Sequence, residues 1–163
     1  MPNLRNYRSD DFRRYDVTQW YGAIRKEIKQ SANFVGYKGE VLMRNPQGEA
    51  VKATASGAVR AFVLFNPIVG VDLTGWDTKA SGSVTVVAGA HEADTMIFDA
   101  AAQGGYAIDQ ELTVAVIVID GKNLTGFVPA AQGNRVIAVV DKLPGSNRGA
   151  LGVKVLDQTY LKA

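Results

Sequence analysis

His91 is the only histidine of the chain, and it stands in Ala-His-Glu-Ala-Asp with Glu92 and Asp94 beside it. An imidazole next to two carboxylates has the composition of a metal site or an acid–base pair. The spacing argues against both. The helical zinc motif needs a second His four residues on, and position 95 is Thr. Adjacent residues of a strand point to opposite faces and do not converge on one ion. His91 is therefore expected in a solvated loop. The other candidates end similarly. The chain has no Cys, which excludes thiolate nucleophiles, disulfides and Cys-based zinc or iron–sulfur centres. No Ser lies in a Gly-x-Ser-x-Gly elbow, and Ser81-Gly82-Ser83 reads as a turn before a strand. Of the carboxylate pairs, Asp10-Asp11 lies among arginines, and Asp109/Glu111 flanks a strand start and is expected to face water. Gly104-Gly105 lacks the Lys-Ser/Thr of a phosphate loop. No catalytic residue, metal ligand or cofactor is assigned, and the expected class is non-enzymatic.

The distinctive chemistry is at the N-terminus. Arg5, Arg8, Arg13 and Arg14 interleave with Tyr7, Phe12 and Tyr15, and Trp20 follows. Residues 1–29 hold seven Lys/Arg against four Asp/Glu, a net of +3, and the other 134 residues hold eleven against twelve. Cations beside aromatics suit nucleic acid, through phosphate contacts and stacking. They equally suit protein interfaces, where Arg, Tyr and Trp are enriched. Asp10, Asp11 and Asp16 would repel phosphate, which favours a protein partner. The same segment lacks the apolar core of a secretory signal, and the longest apolar run, Val114 to Ile119, is too short to span a bilayer. No membrane partner is expected.

The elements that must carry these residues fall into two regions. Residues 1–33 read as an extended arm and one short amphipathic helix. The arm is LRNYRSDDFRRYD, and Val17, Trp20, Tyr21, Ile24 and Ile28 fall on one helical face. Residues 34–163 read as a β-barrel or sandwich. Its strand candidates are YKGEVLM, EAVKATA, VRAFVLF, GSVTVVAG, TMIFDA, ELTVAVIVI, RVIAVVDK and LGVKVLDQTY, parted by Gly, Pro and Asn turns. Asp120-Gly121 suits a hairpin turn. The fold class is mainly β. In GVKVLD the valines alternate with Lys154, but Val114–Ile119 and Val136–Val140 are apolar at every position. Such runs suit strands covered on both faces, with the body's own helix or a neighbouring subunit as the second cover.

The C-terminal third carries a resemblance. YAIDQELTV opens a strand after a short acidic turn. GKNLTGFVPAAQGNRVIAVV has a Pro-Ala turn followed by a Gly-x-x-Val-x-Ala cadence. LPGSNRGALGVKVL turns into a final strand, and DQTYLKA ends the chain. Over residues 105–160 this pattern resembles the head decoration, or cement, proteins of tailed bacteriophages. The resemblance implies a non-enzymatic virion structural protein that binds the outside of a capsid lattice and stabilises it. It implies the major capsid protein and further copies of the chain, most often three, as partners, with assembly in the host bacterial cytoplasm. It brings no binding residue with it. The contact residues expected from the arm are Arg5, Tyr7, Arg8, Phe12, Arg13, Arg14, Tyr15 and Trp20. The alternatives are a tail-tube or head–tail joining protein, and an OB-like nucleic-acid-binding barrel.

Overall fold

The computed structural model describes residues 15–57, 60–65, 68–69, 82–102, 104–146 and 149–163. Thirteen strands dominate them. In chain order they are β1 (Tyr15–Gln19), β2 (Ile24–Lys29), β3 (Gly36–Tyr37), β4 (Val41–Arg44), β5 (Ala50–Lys52), β6 (Phe62–Leu64) and β7 (Ile68–Val69). There follow β8 (Ser83–Ala88), β9 (His91–Thr95), β10 (Glu111–Ile119), β11 (Lys122–Pro129), β12 (Arg135–Lys142) and β13 (Leu151–Leu161). The helical content among the described residues is one short 3-10 turn at Pro144–Ser146.

The strands form two main antiparallel sheets. One has six strands in the order β1-β9-β13-β12-β10-β11, the other five in the order β2-β8-β6-β4-β5, and β3 pairs with β7. Both sheets are open at their ends, so the body is not a closed barrel. Val41 and Val63 pair across β4 and β6 and join the core of the six-stranded sheet, with Phe127, Leu151 and Val153. Leu42, Phe62 and Leu64 point the other way and pack against Phe34 and Ile28. The five-stranded sheet is thus apolar on both faces at its centre, and its short strands read as unbroken apolar runs.

The helix expected from Val17, Trp20, Tyr21, Ile24 and Ile28 is not formed, and residues 15–33 are not separate from the body. β1 is the edge of the six-stranded sheet, and β2 is the edge of the five-stranded sheet. Between them the Ala23 N–H donates to the Trp20 carbonyl at 2.5 Å. Tyr21 and Gly22, at φ 40° and 85°, are the two positive-φ residues of a type I′ turn. Those φ values break a helix. Ile24, Ile28 and Val17 are β-branched and satisfy a strand as readily as a helical stripe. β2 pairs with β8 from Ile24↔Ala88 to Lys29↔Ser83. The sheet gains that ladder, and an isolated three-turn helix has nothing to match it.

The two sheets meet at a buried carboxylate. Glu40, just before β4, is fully buried. Its Oε1 accepts the Thr125 N–H at 2.9 Å, and its Oε2 accepts the Tyr37 N–H at 2.8 Å and pairs with the Lys52 ammonium. Thr125 Oγ1 then donates to the Val41 carbonyl at 2.8 Å. β11 is the outermost strand of its sheet, and its outward N–H groups would otherwise be orphans. Glu40 satisfies that of Thr125, and the Ile97 carbonyl accepts that of Phe127 at 3.1 Å. The chain passes so close here that a Cβ on Gly126 would lie 2.5 Å from the Ile97 carbonyl oxygen.

Two outcomes follow in urea unfolding. Glu40→Ala orphans two backbone donors and one ammonium, and should cost about 3 kcal/mol, near the lower end for breaking a buried pair. Gly126→Ala should cost about 1–3 kcal/mol, because the contact it meets is backbone and cannot swing aside.

Candidate functional site

β9 places His91, Ala93 and Thr95 inward and leaves Glu92 and Asp94 half-buried on the opposite face. The pattern is that of an ordinary strand, so the residues of Ala-His-Glu-Ala-Asp do diverge. The expected solvated loop is corrected: His91 is fully buried. Its Nδ1 lies 2.8 Å from the Gly89 carbonyl and its Nε2 lies 2.5 Å from the Tyr15 hydroxyl. A carbonyl can only accept, so Nδ1 carries the proton and Nε2 accepts from Tyr15. The rings meet edge to face at 5.8 Å. Both ring nitrogens are satisfied in the neutral form. Burial lowers the His91 pKa, and the Gly89 hydrogen bond opposes this only in part. Burial alone pushes the Tyr15 phenol well above its usual range.

Tyr15 is therefore not an exposed contact residue. It is 1% exposed and belongs to the main core cluster. It fixes the start of β1 to β9 through Tyr15↔Thr95 and through the hydroxyl on His91. Trp20, half-buried, lies past the other end of β1, about 17 Å away at the usual strand rise. The Arg25 guanidinium stands 5.8 Å from the Trp20 ring and 4.4 Å from the Phe65 ring. Lys38 stands 4.5 Å from Phe65. These cations already occupy the aromatic faces, so Phe65 is a poor platform for stacking a base. Arg5, Tyr7, Arg8, Phe12, Arg13 and Arg14 lie outside the described residues.

Lys52 and Glu111 also have structural partners. Burial lowers the Lys52 pKa, and its pairing with Glu40 opposes this. Glu111, expected to face water, is half-buried and accepts the Tyr160 hydroxyl at 2.7 Å and the Lys162 ammonium at 3.2 Å. It joins the start of β10 to the end of β13, and these two hydrogen bonds lower its pKa. The surface also has open hollows. One of about 390 Å³ is lined by Arg60, Asp157, Gln158 and Thr159, and one of about 230 Å³ by Met43, Arg44, Gly57, Arg60 and Phe62. Neither is lined by His91, Tyr15, Glu40 or Lys52. Among the described residues no group of three or more His, Asp or Glu is placed to hold a metal ion.

Sequence reasoning missed Glu40 and the structural role of His91. The signal for His91 was available, since His91, Ala93 and Thr95 share a strand parity. Comparison with family models, with curated proteins and with solved structures gave no match.

The buried imidazole makes stability depend on pH. The native pKa of His91 lies below the unfolded value of 6.5, so the unfolded chain takes up the proton first. Stability is full above that value and falls as the pH drops below it, with a limiting slope of about 1.4 kcal/mol per pH unit. Urea titrations from pH 7.5 to 5 should show this loss. His91→Gln should be less stable at pH 7.5 but flat over the same window, because no second histidine exists to titrate. Tyr15→Phe, which deletes the hydroxyl from His91, should cost about 1 kcal/mol at neutral pH.

Proposed function

We propose that the chain is a non-enzymatic structural protein of a tailed-bacteriophage particle. In this reading it binds the outside of the capsid lattice as a homo-oligomer and stabilises the shell. The observation that carries the reading is the anchorage of Tyr15. The basic and aromatic residues that precede it join the body at a side chain locked in the core. A segment tethered at a rigid point loses less freedom on docking than one leaving a loose end. Repeated over a lattice, modest contacts of this kind sum to strong attachment. The resemblance of residues 105–160 to decoration proteins points the same way. The described body also suits a scaffold, because its buried titratable groups are engaged in holding strands together.

The contact residues are then Arg5, Tyr7, Arg8, Phe12, Arg13 and Arg14, with Trp20 at the sheet edge, and Tyr15 serves as the anchor behind them. The test separates arm from anchor. Arg13→Ala/Arg14→Ala should lower the occupancy of purified particles at least about tenfold, equivalent to the loss of about 1.4 kcal/mol per copy. Its unfolding midpoint in urea should stay at that of the wild type. Tyr15→Ala should instead lower the unfolding midpoint of the isolated protein. Unchanged occupancy of the double arginine variant would overturn the arm assignment.

A further inference from the structure

β10 carries an apolar run that the described residues cover over only part of its length. Val114 is fully buried, but Val116 and Val118 are 64% and 68% exposed. Pairing of β10 with β12 ends at Leu112↔Ala138, and pairing with β11 continues to Ile119↔Lys122. Among the described residues, the far end of β10 therefore has a strand on one side only. The register identifies the groups left over. Thr125 lies opposite Val116, and its N–H points away from β10 to Glu40. In an antiparallel ladder the two members of such a pair both turn their N–H and C=O outward. Val116 and, two residues on, Val118 thus present unpaired backbone groups. Among the described residues, the neighbouring edges are closed or charged. Glu40 and Ile97 close β11, while β2 carries Arg25, Lys26, Glu27 and Lys29, the type of residue that discourages pairing. Val116–Ile119 has no such guard.

We propose that Ala115–Ile119 pairs, antiparallel and about a two-fold axis, with the same stretch of a second copy. A two-fold axis at Ile117 sets Val116 of each copy opposite Val118 of the other. Both residues offer outward N–H and C=O groups there, so the ladder closes with no orphan between them. From Leu112 to Ile119 the strand has no charge, so no like charges meet across the seam. The exposed valines form one apolar strip over the joint. This supplies the second cover that an unbroken apolar run calls for and that the described residues do not provide. The inference rests on the homo-oligomer part of the proposed function and names its seam. It sets the isolated protein as a dimer in place of the trimer implied by the resemblance.

The test is sedimentation equilibrium of the full chain, with amide hydrogen exchange at Val116 and Val118. The expected mass is two chains, with both amides slowing as concentration rises. Val116→Lys/Val118→Lys should weaken association more than about tenfold. Should that variant fail to fold, the concentration dependence of the two wild-type amides decides alone. A double variant that stays dimeric, or a three-chain mass with fast exchange at both amides, would overturn the seam and leave self-association standing. A monomeric wild type would overturn self-association itself, while the arginine variant on particles still tests capsid binding separately. Protection that appears only on adding shell protein would replace the second copy with a shell strand.

Discussion

A carboxylate with no access to water decides how the two sheets are joined. Glu40 sits at the crossing of β4, β5 and β11, and each of its oxygens is engaged. Burying a charge is costly unless it is paired and hydrogen-bonded, so the site tolerates little displacement of its partners. Moving β11 would leave the Thr125 N–H and the carboxylate unpaired together. The apolar contacts around it, Val41 and Val63 against Phe127 and Leu151, are non-directional and could slide. The carboxylate sets their register. It also closes an edge strand that would otherwise invite association on the wrong side of the sheet.

The second constraint is at the opposite end of the six-stranded sheet. An edge strand of five residues is held on one side only, and β1 would fray without help. Tyr15 supplies that help through area and through one hydrogen bond to a neutral imidazole. The two buried polar devices therefore hold the two edges of one sheet, β11 and β1. Among the described residues, the far end of β10 stays open on one side.

Much of the β architecture was legible in the sequence. β10 and β12 have the bounds of the strand candidates ELTVAVIVI and RVIAVVDK, and β13 alternates at Val153, Lys154 and Val155 as read. Turns flanked these runs, and length settled strand against helix. Residues 17–28 misled because five apolar side chains in twelve positions satisfy two periods, and only the Tyr21-Gly22 turn decides. β9 was passed over because its polar residues resemble loop composition, although its parity was that of a half-buried strand. β11 was hidden between the turns read at Asp120-Gly121 and Pro129-Ala130. Glu40 could not be found by any local rule. Its decisive partner is a backbone amide 85 residues away, and no side-chain type announces that. Full covering of β10 was expected from its unbroken run, but Val116 and Val118 are exposed.

The central claim is that this chain is a repeated component of a capsid surface. The most direct measurement is its copy number, against the main shell protein, in gradient-purified particles by quantitative mass spectrometry. A ratio near one to one is the predicted result. A ratio of a few per cent would contradict lattice-wide binding and place the chain at the tail or joining region. Complete absence from the particle would contradict the account altogether.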